Sequence, residues 1–99
     1  MIIAKVLGNL VCTQKSSRLD GVKFLIVQPI DLNTLKLEGK SLVAIDTVGA
    51  GVGEIVMLVS GSSARQTERT TNTPTDSSII AIIDTIEMGD KTTYNKSRE

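Results

Sequence analysis

Four carboxylates are the side chains of this sequence best suited to chemistry. Asp46, Glu54, Asp76 and Asp84 stand near the ends of apolar runs, where a carboxylate pair could act as general acid and base. The alternative is a structural role, in hydrogen bonds or salt links to Lys and Arg at strand ends or between subunits. The chain has no histidine, the commonest general base and metal ligand. The composition therefore favours the structural role and predicts no catalytic, metal or cofactor site.

The thiol of Cys12 is the remaining candidate for reactivity, and it is the only cysteine in the chain. One cysteine without histidine cannot build a structural zinc site or an internal disulfide. Because Cys12 lies in a run rich in β-branched residues, we expect a buried structural thiol rather than a nucleophile. A single thiol is also typical of a reducing compartment, so we expect a soluble intracellular domain.

Two fragments of phosphate-binding motifs fail on their spacing or context. Gly39-Lys40-Ser41 matches the end of a P-loop, but Thr34 occupies the position of the required first glycine. Gly49-x-Gly51 matches the start of a dinucleotide fingerprint, but Glu54 occupies the third glycine position and a strand pattern follows. We therefore expect turns at both places.

The segment 46–54 places three glycines, Gly49, Gly51 and Gly53, within five residues between two apolar runs. Glycine permits positive φ and close approach to the backbone. The side chains here, including Ala50 and Val52, do no chemistry, so this loop must act through its main chain. Two interpretations stay open: an opening lined by backbone, and tight packing against a neighbouring subunit.

The elements that position these residues are short strands. Ser63 and Gln66 form a capping box for one short helix over 61–68, and the polar residues 89–99 form a tail without periodicity that we expect to fray unless a neighbour holds it. The sequence predicts a mainly β fold, a five-stranded OB-like barrel with one helix before the last strand. Residues 1–88 form the barrel domain; the expected strands are 2–13, 22–27, 41–45, 54–59 and 79–86.

The composition and the strand pattern indicate that the barrel associates with other subunits. Of the 99 residues, 40% are apolar but only 2% are aromatic, and the net charge is zero. Single-stranded nucleic-acid binding, the usual task of an OB barrel, needs aromatic platforms and a basic groove. Residues 55–59 and 79–83 are apolar on both strand faces, whereas a small barrel has one interior. We therefore predict an oligomer with large apolar interfaces.

Across nearly its whole length the chain resembles the EutN/CcmL family of bacterial microcompartment vertex proteins. The matching segments are Ile2-Ile3-Ala4-Lys5-Val6-Leu7-Gly8, the turn from Lys15 to Gly21, Val43-Ala44-Ile45-Asp46, Gly49-Ala50-Gly51-Val52-Gly53-Glu54, Gly61-Ser62-Ser63-Ala64-Arg65, Pro74-Thr75-Asp76-Ser77 and Ile80-Ala81-Ile82-Ile83-Asp84.

The resemblance implies a non-enzymatic homopentamer that caps the vertices of a polyhedral shell built with hexameric shell proteins, without nucleic-acid or membrane partners. Family loops near the fivefold axis surround a pore, where we place Gly49, Ala50, Gly51, Val52 and Gly53, or Ser62 and Ser63. If helices starting at these serines converge on the axis, their free N–H groups could attract a small anion. The candidate subunit-interface residues are Asp46, Glu54, Arg65, Asp76 and Asp84. The competing functions are an OB-type ligand- or nucleic-acid-binding module, and an enzyme using Asp46 or Asp84.

Overall fold

A computed structural model describes residues 1–13, 17, 21–61 and 77–98 of the chain. Five strands close into a barrel in the order β1-β2-β3-β5-β4, and two further strands form a separate hairpin. The predicted five-stranded barrel is confirmed, while the helix expected over 61–68 lies almost entirely outside the described residues. The strands are β1 (Ile2–Leu10), β2 (Lys23–Pro29), β3 (Leu42–Asp46), β4 (Ile55–Ser60), β5 (Ser77–Ile82), β6 (Thr85–Met88) and β7 (Lys91–Asn95).

The barrel closes through antiparallel pairs except at one seam. β1 pairs with both β2 and β4, β2 with β3, and β4 with β5, all antiparallel. The parallel seam between β3 and β5 is short, joining Ile45 to Ser78 and Asp46 to Ile79. Thr47 Oγ1 donates a 2.6 Å hydrogen bond to the Ile79 carbonyl just beyond this seam. The chain that leaves β3 is thereby tied to β5.

The interior of the barrel is aliphatic, as the lack of aromatic residues predicts. Alternate residues of β2, Leu25 and Val27, point inward, as the two-residue period of a strand requires. Each fully buried aliphatic side chain of this size contributes about 1.5–3 kcal/mol relative to exposure. The buried cluster comprises Ala4, Val6, Leu25, Val27, Ala44, Ala50, Val56, Leu58 and Ile79.

The fifth predicted strand is two strands. The expectation of one strand over 79–86 is wrong, because β5 ends at Ile82 and β6 begins at Thr85. Between them the Ile83 amide still donates to the Ile55 carbonyl at 2.8 Å. The Ile83 side chain joins a second apolar cluster outside the barrel interior. The apolar run therefore contributes Ile79 to the barrel core and Ile83 to the second cluster. A continuous run of isoleucines does not show where one strand ends and the next begins.

The frayed tail expected over 89–99 is also wrong, because β7 pairs with β6 and a 3-10 helix follows over Lys96–Arg98. The strand is polar apart from Tyr94, so its pattern gives no apolar alternation. Tyr94 is only 5% exposed and belongs to the second cluster with Ile30 and Ile55. One aromatic side chain thus anchors the hairpin on the barrel.

The hairpin covers part of the apolar surface on the outside of the barrel. We expected other subunits to hide it, yet the second cluster covers part of it within one chain. Partly buried Ile3, Leu35, Ile83 and Ile86 pack around its buried members. Leu35 adopts a positive φ of 61°, which is uncommon for a branched side chain.

Cys12 does not occupy the predicted buried position. Strand β1 ends at Leu10, and Cys12 lies exposed beyond it. The expectation failed because the β-branched run continues past the last paired residue. Within the described ranges, the structure contains no helix of the length and apolarity that a membrane span requires.

We predict that Tyr94→Ala lowers the free energy of unfolding by roughly 3 kcal/mol, because it empties the centre of the second cluster. Thr92→Ala, at an exposed position of the same strand, is the control and should change stability by less than about 0.5 kcal/mol. Denaturant titration at one protein concentration measures both. Equal stability of the two variants would mean that the hairpin is not anchored through Tyr94.

Candidate functional site

The glycine loop, residues 47–54, joins β3 to β4 at the place the sequence predicts. Gly49 and Gly53 have φ values of 81° and 92°, in the region that L side chains rarely adopt. Gly51 does not share this conformation, and a Cβ there would lie 3.4 Å from Glu54 Oε1. Two glycines are therefore required by backbone conformation, whereas a Cβ at Gly51 would make an ordinary contact with the carboxylate beside it.

The carboxylate of Asp46 organises the first half of the loop. Its Oδ1 accepts hydrogen bonds from the Val48 and Gly49 amides at 3.0 and 3.1 Å, and its Oδ2 accepts one from the Ala50 amide at 3.0 Å. Asp46 is only 7% exposed. A buried carboxylate that accepts three backbone hydrogen bonds has a structural role, because both of its oxygens are already occupied by amide groups of the loop.

The carboxylate of Glu54 organises the second half. Oε1 accepts a 2.6 Å hydrogen bond from the Gly51 amide, while Oε2 forms an ion pair with Lys96 Nζ. The Lys96 hydrogen bond, followed by that from Gly51, holds the pKa of Glu54 below its ordinary value of 4.5. The depressed pKa means that the contribution of these bonds to stability is complete above the ordinary value and is lost as the pH falls through the lowered pKa.

Further contacts attach the loop to the barrel wall. The Gly53 amide donates to the Val6 carbonyl at 2.9 Å, and Lys23 Nζ donates to the Ala50 carbonyl at 3.3 Å. The Ala50 side chain is buried in the barrel core. The exposed apolar side chains of the loop are Val48 and Val52. The loop is therefore a fixed platform that presents two valines to solvent.

The structure brings together only part of the predicted set. Asp46 and Glu54 flank the glycine loop, whereas Asp84 lies exposed between β5 and β6. Ser62, Ser63, Arg65 and Asp76 lie outside the described residues. Among described residues, no group of three His, Cys, Asp or Glu side chains could hold a metal ion. The pore and interface assignments remain predictions.

Two lysines of the site were not predicted. Lys23 and Lys96 reach the loop from β2 and from the chain end, 27 and 42 residues away from their partners in sequence. Neither a lysine at the start of an apolar strand, as Lys23 is, nor one in a polar segment, as Lys96 is, carries a sequence signal for so distant a contact. Only the folded barrel and its hairpin reveal both.

The outer face of β1, β2 and β3 carries apolar side chains in register. Leu10 lies opposite Phe24, and Ile26 lies opposite both Gly8 and Val43. Directly opposite residues point to the same side of a sheet, while Leu25 and Val27 fill the interior. Val43 is 43% exposed and Leu10 is 40% exposed. We call Leu10, Phe24, Ile26 and Val43 the outer patch.

We predict different costs for alanine at two glycines of the loop. Gly53→Ala should lower the free energy of unfolding by about 1–2 kcal/mol, because its φ places Cβ against the backbone. Gly51→Ala should cost less, since its φ is ordinary and its Cβ meets only Glu54 Oε1 at contact distance. Thermal unfolding at one protein concentration compares them. A larger cost at Gly51 would show that another surface approaches it closely.

We predict that Asp46→Asn lowers the free energy of unfolding by about 2 kcal/mol. The amide keeps one acceptor oxygen but turns an N–H₂ group toward the buried Ala50 amide, so two donors face each other. Asp90→Asn removes an exposed carboxylate in the turn between β6 and β7 and is the matched control. Denaturant titration tests the pair, and an unaffected Asp46→Asn protein would contradict the assigned acceptor role.

Comparison with known proteins agrees with this geometry. The family described as "Ethanolamine utilisation protein EutN/carboxysome" matches residues 1–84. The Salmonella typhimurium bacterial microcompartment shell vertex protein EutN is 44% identical over 96 residues, covering 97% of this chain and 96% of that protein.

Two solved structures share the fold over most of both chains. Gloeobacter violaceus CcmL superposes with a TM-score of 0.91 and 39% identity, covering 98% of this chain and 99% of that one. The GrpN pentameric microcompartment shell protein from Rhodospirillum rubrum superposes with a TM-score of 0.77 and 40% identity, covering 89% and 98%. Sequence, fold and coverage agree, and the chain belongs to the EutN/CcmL family of bacterial microcompartment shell proteins.

Proposed function

We propose that this protein is a non-enzymatic structural subunit that assembles as a ring of five copies and caps the vertices of a bacterial microcompartment shell in the cytoplasm. Its relatives support this, since one is named a shell vertex protein and another a pentameric shell protein. The observation from this chain that carries the proposal is the outer patch. A closed barrel that carries exposed and half-buried apolar side chains in register on the outer face of three strands favours association.

A ring of five requires two different surfaces on each subunit. Cyclic closure beyond a dimer repeats one heterologous contact, in which a patch meets a distinct surface of the next copy. The outer patch supplies one surface, and Val48 and Val52 on the fixed glycine loop supply an apolar candidate for the other. Under this proposal the acidic residues Asp46 and Glu54 serve the interface by shaping the loop.

The proposed function also includes the shell partners, the position of the loop in the ring and the polar contacts between subunits. Fivefold tiles are needed because a flat layer of hexameric tiles cannot close into a polyhedron, so hexameric shell proteins are the proposed partners. Gly49–Gly53 or the segment containing Ser62 and Ser63 would lie near the fivefold axis. Arg65, Asp76 and Asp84 would make polar contacts between subunits.

Native mass spectrometry tests the ring and the patch together. We expect the wild-type protein at five times the 10.6 kDa mass of one chain. Val43→Lys should shift it to monomer, because a charge would be buried against the neighbour while the exposed site tolerates lysine in a single subunit. Leu37→Lys, an equally exposed position on the connection between β2 and β3, is the control and should remain pentameric.

The possible outcomes distinguish a failure of the proposed function from a failure of the outer patch as the contact surface. A monomeric wild-type protein at micromolar concentration would overturn the proposed ring. Dissociation by Leu37→Lys with an intact Val43→Lys ring would reject only the outer patch. Tight binding of single-stranded DNA at low salt, where such binding is strongest, would favour the OB-type module, whose nucleic-acid face includes strands 2 and 3.

A further inference from the structure

We propose that the C-terminal strap, residues 85–98, fixes the glycine loop through Lys96 and Glu54, so that strap and loop open and close as one unit. The strap follows β5 and contacts, through Lys96, a residue 42 positions earlier in the chain at the end of the glycine loop. The consequence for ring formation rests on the proposed function.

The strap is held where its hairpin meets the barrel. Tyr94 packs in the second cluster with Ile55, the residue next to Glu54. The Lys96 amide donates a 2.8 Å hydrogen bond to the Asp84 carbonyl, which lies where the strap leaves the barrel. These contacts bring the Lys96 side chain to the start of β4. Its ammonium group then reaches the Glu54 carboxylate.

One carboxylate joins the two segments. Glu54 uses Oε1 for the Gly51 amide of the loop and Oε2 for Lys96 of the strap. Since both oxygens belong to one rigid group, rotation of the Glu54 side chain away from Lys96 also withdraws the acceptor from Gly51. Hydrogen bonds that share a group in this way are coupled. Opening of the strap should therefore loosen the loop 42 residues away.

The coupling has a use in assembly. A surface that is already ordered in the free subunit loses less conformational entropy on binding. We call the contact between Lys96 and Glu54 the latch. The glycine loop presents Val48 and Val52 to the proposed neighbour, so the closed latch keeps this surface ordered before the subunits meet. Loss of the latch should weaken the ring without removing any residue from the contact.

Amide hydrogen exchange of the assembled protein tests the latch. In Lys96→Met we expect exchange at the Gly51 and Gly53 amides to accelerate about two- to fivefold, the range of an exposed ion pair. Lys91→Met is the matched control, because Lys91 lies in the same hairpin and pairs with no acidic side chain among the described residues. It should leave both amides unchanged. Acceleration confined to the strap amides in Lys96→Met would overturn the proposal.

A double-variant comparison guards against general destabilisation. Glu54→Gln keeps an oxygen that can accept from Gly51 but removes the charge that holds Lys96. Combining it with Lys96→Met should accelerate loop exchange no more than the larger single effect, because both remove one interaction. Additive effects would show that the two residues act independently and would reject the latch.

Dilution of the ring separates this inference from the proposed function. We expect Lys96→Met pentamers to dissociate at about two- to fivefold higher protein concentration than wild type, with Lys91→Met unchanged. Faster loop exchange with unaltered dissociation would reject the role in assembly. A wild-type protein that forms no ring would overturn the proposed function, while coupled exchange of loop and strap in that protein would still support the latch.

Discussion

The constraint behind this structure is that its strands are apolar on two faces while its barrel has one interior. A domain of 99 residues buries a modest share of its surface, so outward aliphatic side chains need another cover. Two kinds of cover follow. The strap and the connection after β2 cover Ile3 and Ile55 within the chain, whereas the outer patch on β1, β2 and β3 is the surface that we propose a neighbouring copy covers.

Asp46 and Glu54 show how the placement of charge determines the shape of a loop. Asp46 and Glu54 lie at the two ends of a loop whose glycines cannot hold their own conformation. Each carboxylate accepts backbone N–H groups that would otherwise face solvent or the apolar core. Charge-assisted hydrogen bonds of this kind are roughly twice as strong as neutral ones. The carboxylates thereby convert the most deformable segment of the chain into a defined surface.

The sequence predicted the barrel well because its signals are local: apolar runs of strand length, glycine and Asp-Gly turns, and an aliphatic composition. It failed where a contact depends on distant residues. Tyr94 is an isolated aromatic in a polar segment, so nothing local indicated a strand there, and Lys96 finds Glu54 only after β6 and β7 fold back. The burial predicted for Cys12 was wrong because its β-branched neighbours extend beyond the paired part of β1. For Asp46 and Glu54, the structural role was predicted but their partners were not.

Under the proposed latch, the polar strap that follows the barrel also acts on assembly. In a heterologous ring each subunit presents two unlike surfaces, and each must be correct before the contact can repeat. The outer patch is built on three paired strands and needs no support. The glycine loop has no ladder of its own, so its shape must come from side chains that reach it: Asp46 from β3, Lys23 from β2 and Glu54 with Lys96. The segment with the least intrinsic order thus receives the most restraint from other side chains, which is what the proposed contact between identical subunits requires.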